Sequence, residues 1–285
     1  MNLSELSDCQ EGIDRMLQDT EELHITYRHD APGAEMRCVL IRGREVLLKE
    51  EAAGSALPLY GELGGNYPLR DQFDLGGKRC GLIHLDADTE IACCTPMAVS
   101  ACRNMVSLED LYIIYTAWHL ETWYEANRFC GRCGTPTVAD DKERMRRCPK
   151  CGQMIFPKIC PAMVVAILHE DKLLLTRYAN RPFKNYALVA GFVEIGETAE
   201  QTVAREAMEE VGLKLKNIRY LGSQPWGVVG NLMMGFSAEV DGSPEVRLDD
   251  GELCEARWFR REEIPQRDDI SLTGDIIQRF QRGEI

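Results

Sequence analysis

Three glutamates, Glu206, Glu209 and Glu210, stand close together in "GFVEIGETAEQTVAREAMEEVGL", residues 191 to 213, a stretch with six acidic side chains and one arginine. On a helix, positions i, i+3 and i+4 share one side, so their carboxylates converge. Like charges at that spacing cost about 0.2–0.5 kcal/mol per pair, and no lysine intervenes to offset them. Such a cluster attracts cations. Oxygen-only ligands suit hard divalent ions, Mg²⁺ or Mn²⁺, which bind through a few carboxylates, waters and the oxygens of a substrate phosphate. The chemistry expected is therefore at phosphorus. Taken alone, the helix is equally compatible with an acidic face paired with arginines elsewhere.

The elements that position these groups are legible around them. Thr198 followed by Gln201 reads as a capping box, Ala199, Val203, Ala204, Ala207, Met208 and Val211 supply helix-compatible and apolar positions, and Gly212 is a stop, which predicts a helix from near Thr198 to Val211. "AMVVAILHEDKLLLTRYA" predicts a hairpin turning at Glu170-Asp171. "IRYLGSQPWG", "NLMMGFSAEV" and "EARWFR" predict strands, and "LTGDIIQRFQRG" a closing helix. Helices flanking a mixed sheet make an α/β/α sandwich. Upstream, "EMRCVLIRGREVLLKEE" and "KRCGLIHLDADTEIACC" are expected to be strand pairs closed by Gly or Asp turns, and "SLEDLYIIYTAWHLETWYEANRF" a helix opened by Ser107.

Between these regions lie "CGRCG" and "CPKCG", in which Cys130, Cys133, Cys148 and Cys151 form a C-x2-C-x14-C-x2-C pattern. Paired thiolates on tight glycine turns build closed tetrahedral Zn²⁺ sites, so one structural zinc per chain is expected here. A redox dithiol is the competing reading, and two matched pairs at ribbon spacing argue against it. The other cysteines, Cys9, Cys38, Cys80, Cys93, Cys94, Cys102, Cys160 and Cys254, are expected to be small buried hydrophobes. His24, His29, His84, His119 and His169 form no ligand spacing with one another and read as surface or satisfied core residues.

The chain of 285 residues implies about two domains. Residues 1–127 are read as an α+β N-terminal domain, 128–157 as the ribbon and 158–285 as the sandwich, so the fold class is α+β. No run of 18 apolar residues and no leader-like start are present, which leads to the expectation of a cytoplasmic protein without a membrane partner. A formal charge of −13 argues against a protein whose main business is gripping nucleic acid.

With Gly191, Glu197, Arg205-Glu206, Ala207, Glu209-Glu210, Gly212 and Leu213 at their spacings, the acidic stretch resembles the Nudix box at every fixed position. Ala207 is smaller than the commoner Leu, Ile or Val. The resemblance implies a loop-helix-loop that holds Mg²⁺ or Mn²⁺ against the diphosphate of a nucleotide derivative, which water splits. Glu206 and Glu210 look like the principal metal ligands, with the carbonyl of Ala190 and a distant carboxylate, Glu252, completing the set and Glu255 as rival. Glu209 is expected to help bind metal or activate water, and Arg205 and Glu197 to form the pair that orients the loop.

The order of N-terminal domain, ribbon, box and then Ser223-Gln224-Pro225-Trp226 resembles that of the NADH pyrophosphatase family. That resemblance implies a homodimer that cleaves NADH or NAD to nicotinamide mononucleotide and AMP, with NAD-capped RNA as a further substrate. It also implies substrate contacts at Phe156, Phe192, Gln224, Trp226, Asn231, Met233 and Thr273, although Phe156 and Phe192 fit equally with plain core. Where the family continues with Pro-Phe-Pro, this chain has Gly227, Val228 and Val229. The loop is therefore expected to be looser, NADH less well discriminated from NAD and ADP-ribose, and Pro-Phe-Pro restored at positions 227–229 to favour NADH. Hydrolysis of ADP-ribose or another nucleoside diphosphate derivative, and a nucleotide-sensing or RNA-docking module without turnover, stand as alternatives.

Overall fold

A computed structural model describes residues 23–24, 26–27, 29–52, 54–179, 185–248, 251–265 and 270–285. Cys9 lies outside the described residues, as does the side chain of His24. The chain separates into two compact units, one holding the described residues up to Ile159 with Trp226–Gly230, the other holding Cys160–Pro225 and Asn231–Ile285.

In the first unit, β1 (Leu23–His24), β2 (Arg37–Arg42), β3 (Glu45–Glu51), β4 (Gly54–Ala56), β5 (Asp71–Leu75) and β6 (Lys78–His84) form a sheet in the order β1-β5-β6-β2-β3-β4, with β7 (Cys94–Ala98) also on β3. β2 and β3 are the expected hairpin, turned by Gly43 at φ 62°. "KRCGLIHLDADTEIACC" is not a strand pair. β6 pairs with β5 across Gly76-Gly77 and runs parallel to β2, Thr89 N closes a turn on Asp86 O at 3.0 Å, and β7 leaves to pair with β3. Long-range ladders therefore outweigh the local turn signal.

Helix α1 (Leu108–Ala126) is capped by Ser107, whose side chain accepts from Asp110 N. The ribbon adds β8 (Val138–Ala139), β9 (Arg146–Arg147) and β10 (Met154–Ile155). It is tied to the N-terminal sheet by Arg144, whose Nε and one terminal nitrogen donate to the two oxygens of Asp71 at 2.8 and 3.0 Å, while Tyr124 OH donates to the same carboxylate at 2.9 Å. Planar, charge-assisted pairing of this kind is among the stronger hydrogen bonds available.

The second unit contains β11 (Cys160–His169), β12 (Lys172–Tyr178), β13 (Val189–Phe192), α2 (Ala199–Val211), β14 (Leu215–Trp226), β15 (Asn231–Val240), β16 (Leu253–Arg260) and α3 (Leu272–Arg282). Its sheet runs β14-β15-β11-β12-β16, with β13 also on β11, and is mixed because β11 and β15 are parallel. Alternation along β11 explains the layers: Met163, Val165 and Ile167 pack with Val203, Ala207 and Val211 of α2, whereas Val164 and Ala166 pack with Leu272, Ile276 and Phe280 of α3. A strand covered on both faces reads as the continuous apolar run seen in the sequence.

The cysteines outside the ribbon are less uniform than expected. Cys38, Cys80 and Cys102 are buried, and burial pushes the first two up to about 12, which keeps them protonated and inert. Cys93, Cys94 and Cys160 are half-buried, and Cys254 is exposed, with its thiol facing the carbonyls of Arg177 and Tyr178. Among the described residues no helix is long and apolar enough to cross a membrane.

Candidate active site

Helix α2 begins and ends on local signals. Thr198 Oγ1 accepts from Gln201 N at 3.2 Å while Gln201 Oε1 accepts from Thr198 N at 2.8 Å, and Gly212 closes the helix in the left-handed region at φ 70°. With Val203, Ala207 and Val211 fixed in the core, the neighbouring positions bring Glu209 to the surface, leave Glu206 half-buried and keep Glu210 buried.

Arg205 organises the site. Its Nε and one terminal nitrogen grip both oxygens of Glu197 at 2.7 and 3.0 Å, that same terminal nitrogen reaches Phe192 O at 3.0 Å, and the other donates to Glu206 at 2.8 Å and Glu209 at 2.9 Å. Glu197 also accepts from Thr202 Oγ1 at 2.8 Å and Glu194 N at 3.2 Å. The loop before α2 is thus laced to the helix. The Arg205 guanidinium, helped by Thr202 and the Glu194 amide, holds the Glu197 carboxyl down at about 2, below its unfolded value of 4.5. A carboxyl depressed in this way stabilises the fold fully above pH 4.5 and loses that contribution as pH falls toward 2. Comparison of Glu197→Gln with the parent should therefore show a stability deficit above pH 4.5 that shrinks steadily down to pH 2, read by chemical denaturation. A deficit independent of pH would remove the ion pair as its cause.

Glu206 lies on Gly191. A Cβ built there would stand 2.0 Å from the Glu206 carboxyl carbon, so only glycine leaves room for that carboxylate. Glu210 is 5% exposed, Glu209 is exposed, and Ala190 is half-buried in β13 opposite Val164. Burial pushes the Glu206 carboxyl up, Arg205 opposes it, and the charges of Glu209 and Glu252 raise it further. Glu252 is exposed and acts on Glu206, whereas its rival Glu255 is engaged by Tyr186 OH at 2.7 Å and by Arg177 at 2.9 Å. This donor set is all oxygen and partly desolvated, and it stays short of positive charge even with Arg205 in place. Donors of this type suit a hard divalent cation, although among the described residues the groups whose ligand atoms lie within 4.8 Å of one another do not include these carboxylates.

The expected substrate contacts are scattered. Phe192 and Phe156 are 55% and 52% exposed, as stacking surfaces must be, and Thr273 is half-buried in the first turn of α3. Asn231 is buried with its amide nitrogen 4.0 Å from Met233 Sδ, and Met233 is half-buried against the α3 side of the sheet. Gln224 corrects the sequence reading. It is fully buried, donating to Ile270 O at 2.9 Å and accepting from Leu272 N at 2.7 Å, so it staples the entry of α3 instead of facing a ligand. Gln224→Met should cost about 1–3 kcal/mol in unfolding free energy by stranding that buried N–H, a loss that denaturant titration would register. In the segment expected to be loose, Gly227 is buried against the Tyr115 carbonyl, where the Cβ of a proline would collide.

At the ribbon, the sulfurs of Cys130 and Cys151 are 3.6 Å apart, those of Cys133 and Cys148 3.5 Å, and all four lie within 4.8 Å of one another. A tetrahedral site with Zn–S of about 2.3 Å has edges of ~3.8 Å, so the sulfurs stand where zinc needs them. Gly134 and Gly152, both left-handed, return their amides to Cys130 O and Cys148 O at 2.8 and 3.0 Å, which forms the two knuckles. Hydrogen bonding to Thr135 holds the Cys133 thiol down at about 6, ready to ligate as thiolate, while Cys151, despite a backbone hydrogen bond from Gln153, is pushed up to about 11 by desolvation and its fellow thiols.

One grouping escaped the sequence. His84 Nδ1 lies 2.7 Å from Glu121, and Arg70 donates to Glu121 and Glu125 at 2.7 and 2.8 Å, bringing a strand, a loop and α1 together. Arg70 is the cation of this cluster. No spacing in the sequence signals it, because each bonded pair joins α1 to a residue 37 to 55 positions earlier.

Residues 159–280, which hold the sandwich and its carboxylate helix, match the NUDIX domain. Residues 125–156, ahead of it in the chain, match the NADH pyrophosphatase zinc ribbon domain. NAD-capped RNA hydrolases NudC of Salmonella heidelberg (strain SL476) and Salmonella typhi are each 44% identical to it over 146 residues, 51% of this chain and 56% of theirs. The chain thus matches about half the length of these curated relatives. A solved NUDIX hydrolase from Nitrosomonas europaea is 23% identical, with 55% of this chain and 92% of that one covered at a TM-score of 0.45.

Proposed function

We propose that the protein hydrolyses the diphosphate of NADH and NAD to nicotinamide mononucleotide and AMP, and acts on the same linkage at the end of NAD-capped RNA. The observation that carries this reading is the Arg205 hub, which fixes Glu197 and gathers Glu206 and Glu209 beside the buried Glu210. A nucleotide sensor has no need of that hydrolytic set.

Glu206, Glu210, Glu252 and the Ala190 carbonyl would hold Mg²⁺ or Mn²⁺, which when bound neutralises phosphate charge and lowers the pKa of the attacking water. The residues of the chain do the rest. Glu209, exposed on the helix, would help hold the metal or take the proton of the attacking water. Arg205 and Glu197 keep the loop, and with it the Phe192 carbonyl, in register with the helix. Phe192, Phe156 and Trp226 offer aromatic surface to the dinucleotide rings, with Asn231, Met233 and Thr273 as further contacts. The assembly we expect is a homodimer, in the cytoplasm, where the ribbon thiols stay reduced. The divisions 1–127, 128–157 and 158–285 are retained as the domain reading.

Product analysis with Mg²⁺ and with Mn²⁺ across NADH, NAD, ADP-ribose, diadenosine polyphosphates and NAD-capped RNA tests the proposal. Release of nicotinamide mononucleotide from NADH or NAD supports it. Turnover of ADP-ribose alone would replace it with a narrower hydrolase, and binding without turnover with a sensor.

A further inference from the structure

The segment that replaces Pro-Phe-Pro is anchored. Residues 227–230 form two overlapping turns, Val229 N to Trp226 O at 3.4 Å and Gly230 N to Gly227 O at 3.3 Å, and they lie against α1. Trp118 Nε1 donates to Val228 O at 3.3 Å. The Trp226 ring meets the Tyr115 ring edge-on at 5.6 Å, and Tyr115 is only 3% exposed, so its ring is locked by packing. His119 Nε2 donates to Lys158 O at 2.7 Å, and the same ring lies 3.1 Å from where a Cβ on Gly230 would be.

The two glycines serve different needs. A Cβ at Gly227 would stand 2.1 Å from Tyr115 O and 2.7 Å from Tyr115 C, backbone atoms within α1 that cannot retreat without unwinding the helix. Gly230 instead supplies the left-handed turn, at φ 74°. Val228 is held through its carbonyl, and the Val229 side chain, 63% exposed, takes no part in the seat. A proline-rich segment is stiff by its own locked φ angles. This segment has no such stiffness and takes its shape from a helix more than a hundred positions earlier.

We propose that α1 seats the Trp226–Gly230 loop and thereby orients Trp226, which makes Tyr115 and Trp118 positioning residues for dinucleotide binding. This rests on the reading of Trp226 as a substrate contact. Orientation of a contact made equally in ground and transition states acts on KM and leaves kcat unchanged.

The test uses the full chain with Trp118→Phe, which deletes the N–H donor and keeps an aromatic ring, Gly227→Ala, which disturbs the close approach, and Val229→Ala as control. Two readouts are taken: steady-state kinetics with NADH, and amide hydrogen exchange of residues 226–230 with and without NADH. Both seat variants should exchange faster in this loop and raise KM about threefold to tenfold, the size of an aromatic contact, with kcat within about twofold. Val229→Ala should match the parent in both readouts. If Gly227→Ala does not fold, Trp118→Phe decides. Faster exchange with an unchanged KM, an unchanged exchange rate, or a fall in kcat alone each overturns the proposal. A parent that hydrolyses no dinucleotide defeats the proposed function instead. The seat is then judged by exchange: NADH protection of 226–230 in the parent that weakens in Trp118→Phe sustains it, and no such protection overturns it.

Discussion

If the proposed activity holds, Glu210→Gln is expected to fold like the parent and to hydrolyse the proposed dinucleotide substrate slower by roughly two orders of magnitude or more at saturating Mg²⁺. The substitution is nearly isosteric and removes one negative charge from a site 5% exposed, on the same helix as the apolar stripe of Val203, Ala207 and Val211. A carboxylate buried for packing alone would be a poor choice there, because burial disfavours its charged form. The metal-free variant should consequently be at least as stable as the metal-free parent, while its activity collapses. Those opposite signs distinguish a group kept for function from one kept for structure. Glu206→Gln should lose activity similarly, though it also takes a partner from Arg205, so its stability is the less clean comparison. Near-parental turnover by purified Glu210→Gln would remove the catalytic assignment.

Helix α2 was readable from sequence because all its signals are local: Thr198 and Gln201 bond each other within one turn, Gly212 ends the helix where no side chain is wanted, and Glu197 and Arg205 meet eight positions apart. The cysteine knuckles are local too, each closed by a glycine within its own turn. What the sequence hid depends on distant partners. The resemblance of the Ser223–Trp226 run implied a ligand contact at Gln224, yet its partners are Ile270 and Leu272, far along the chain. Gly227 suggested freedom, yet its missing side chain is required by Tyr115. Likewise β6 gave the pattern of a hairpin arm, but its parallel neighbour β2 is set by the whole sheet. A residue type states what a position can do, and only the partner decides which possibility is used.

Removal of zinc should produce the second large effect. Protein purified without added metal is expected to carry about one zinc per chain, and strong chelation or Cys148→Ser to cost ~3 kcal/mol or more, a drop of about 6–12 °C in the transition of the ribbon-bearing part. Free zinc-finger peptides draw about 10–16 kcal/mol from the metal, because nothing else orders them. Here other bonds remain when zinc leaves: Arg144 holds Asp71, and Arg146 donates to the Thr137 hydroxyl and carbonyl at 2.9 and 2.6 Å. The loss should therefore be a fraction of the peptide value. It should still be large, since Cys130 and Cys148 are buried and, without an ion, thiols 3.5 to 3.6 Å apart repel once ionised. The four-sulfur site is closed and offers no open coordination position, so molecules that remain folded should keep their turnover per chain. Calorimetry with metal analysis gives the answer. An unchanged transition after chelation, or zinc-free protein with the cysteine pairs joined as disulfides, would exclude a structural zinc.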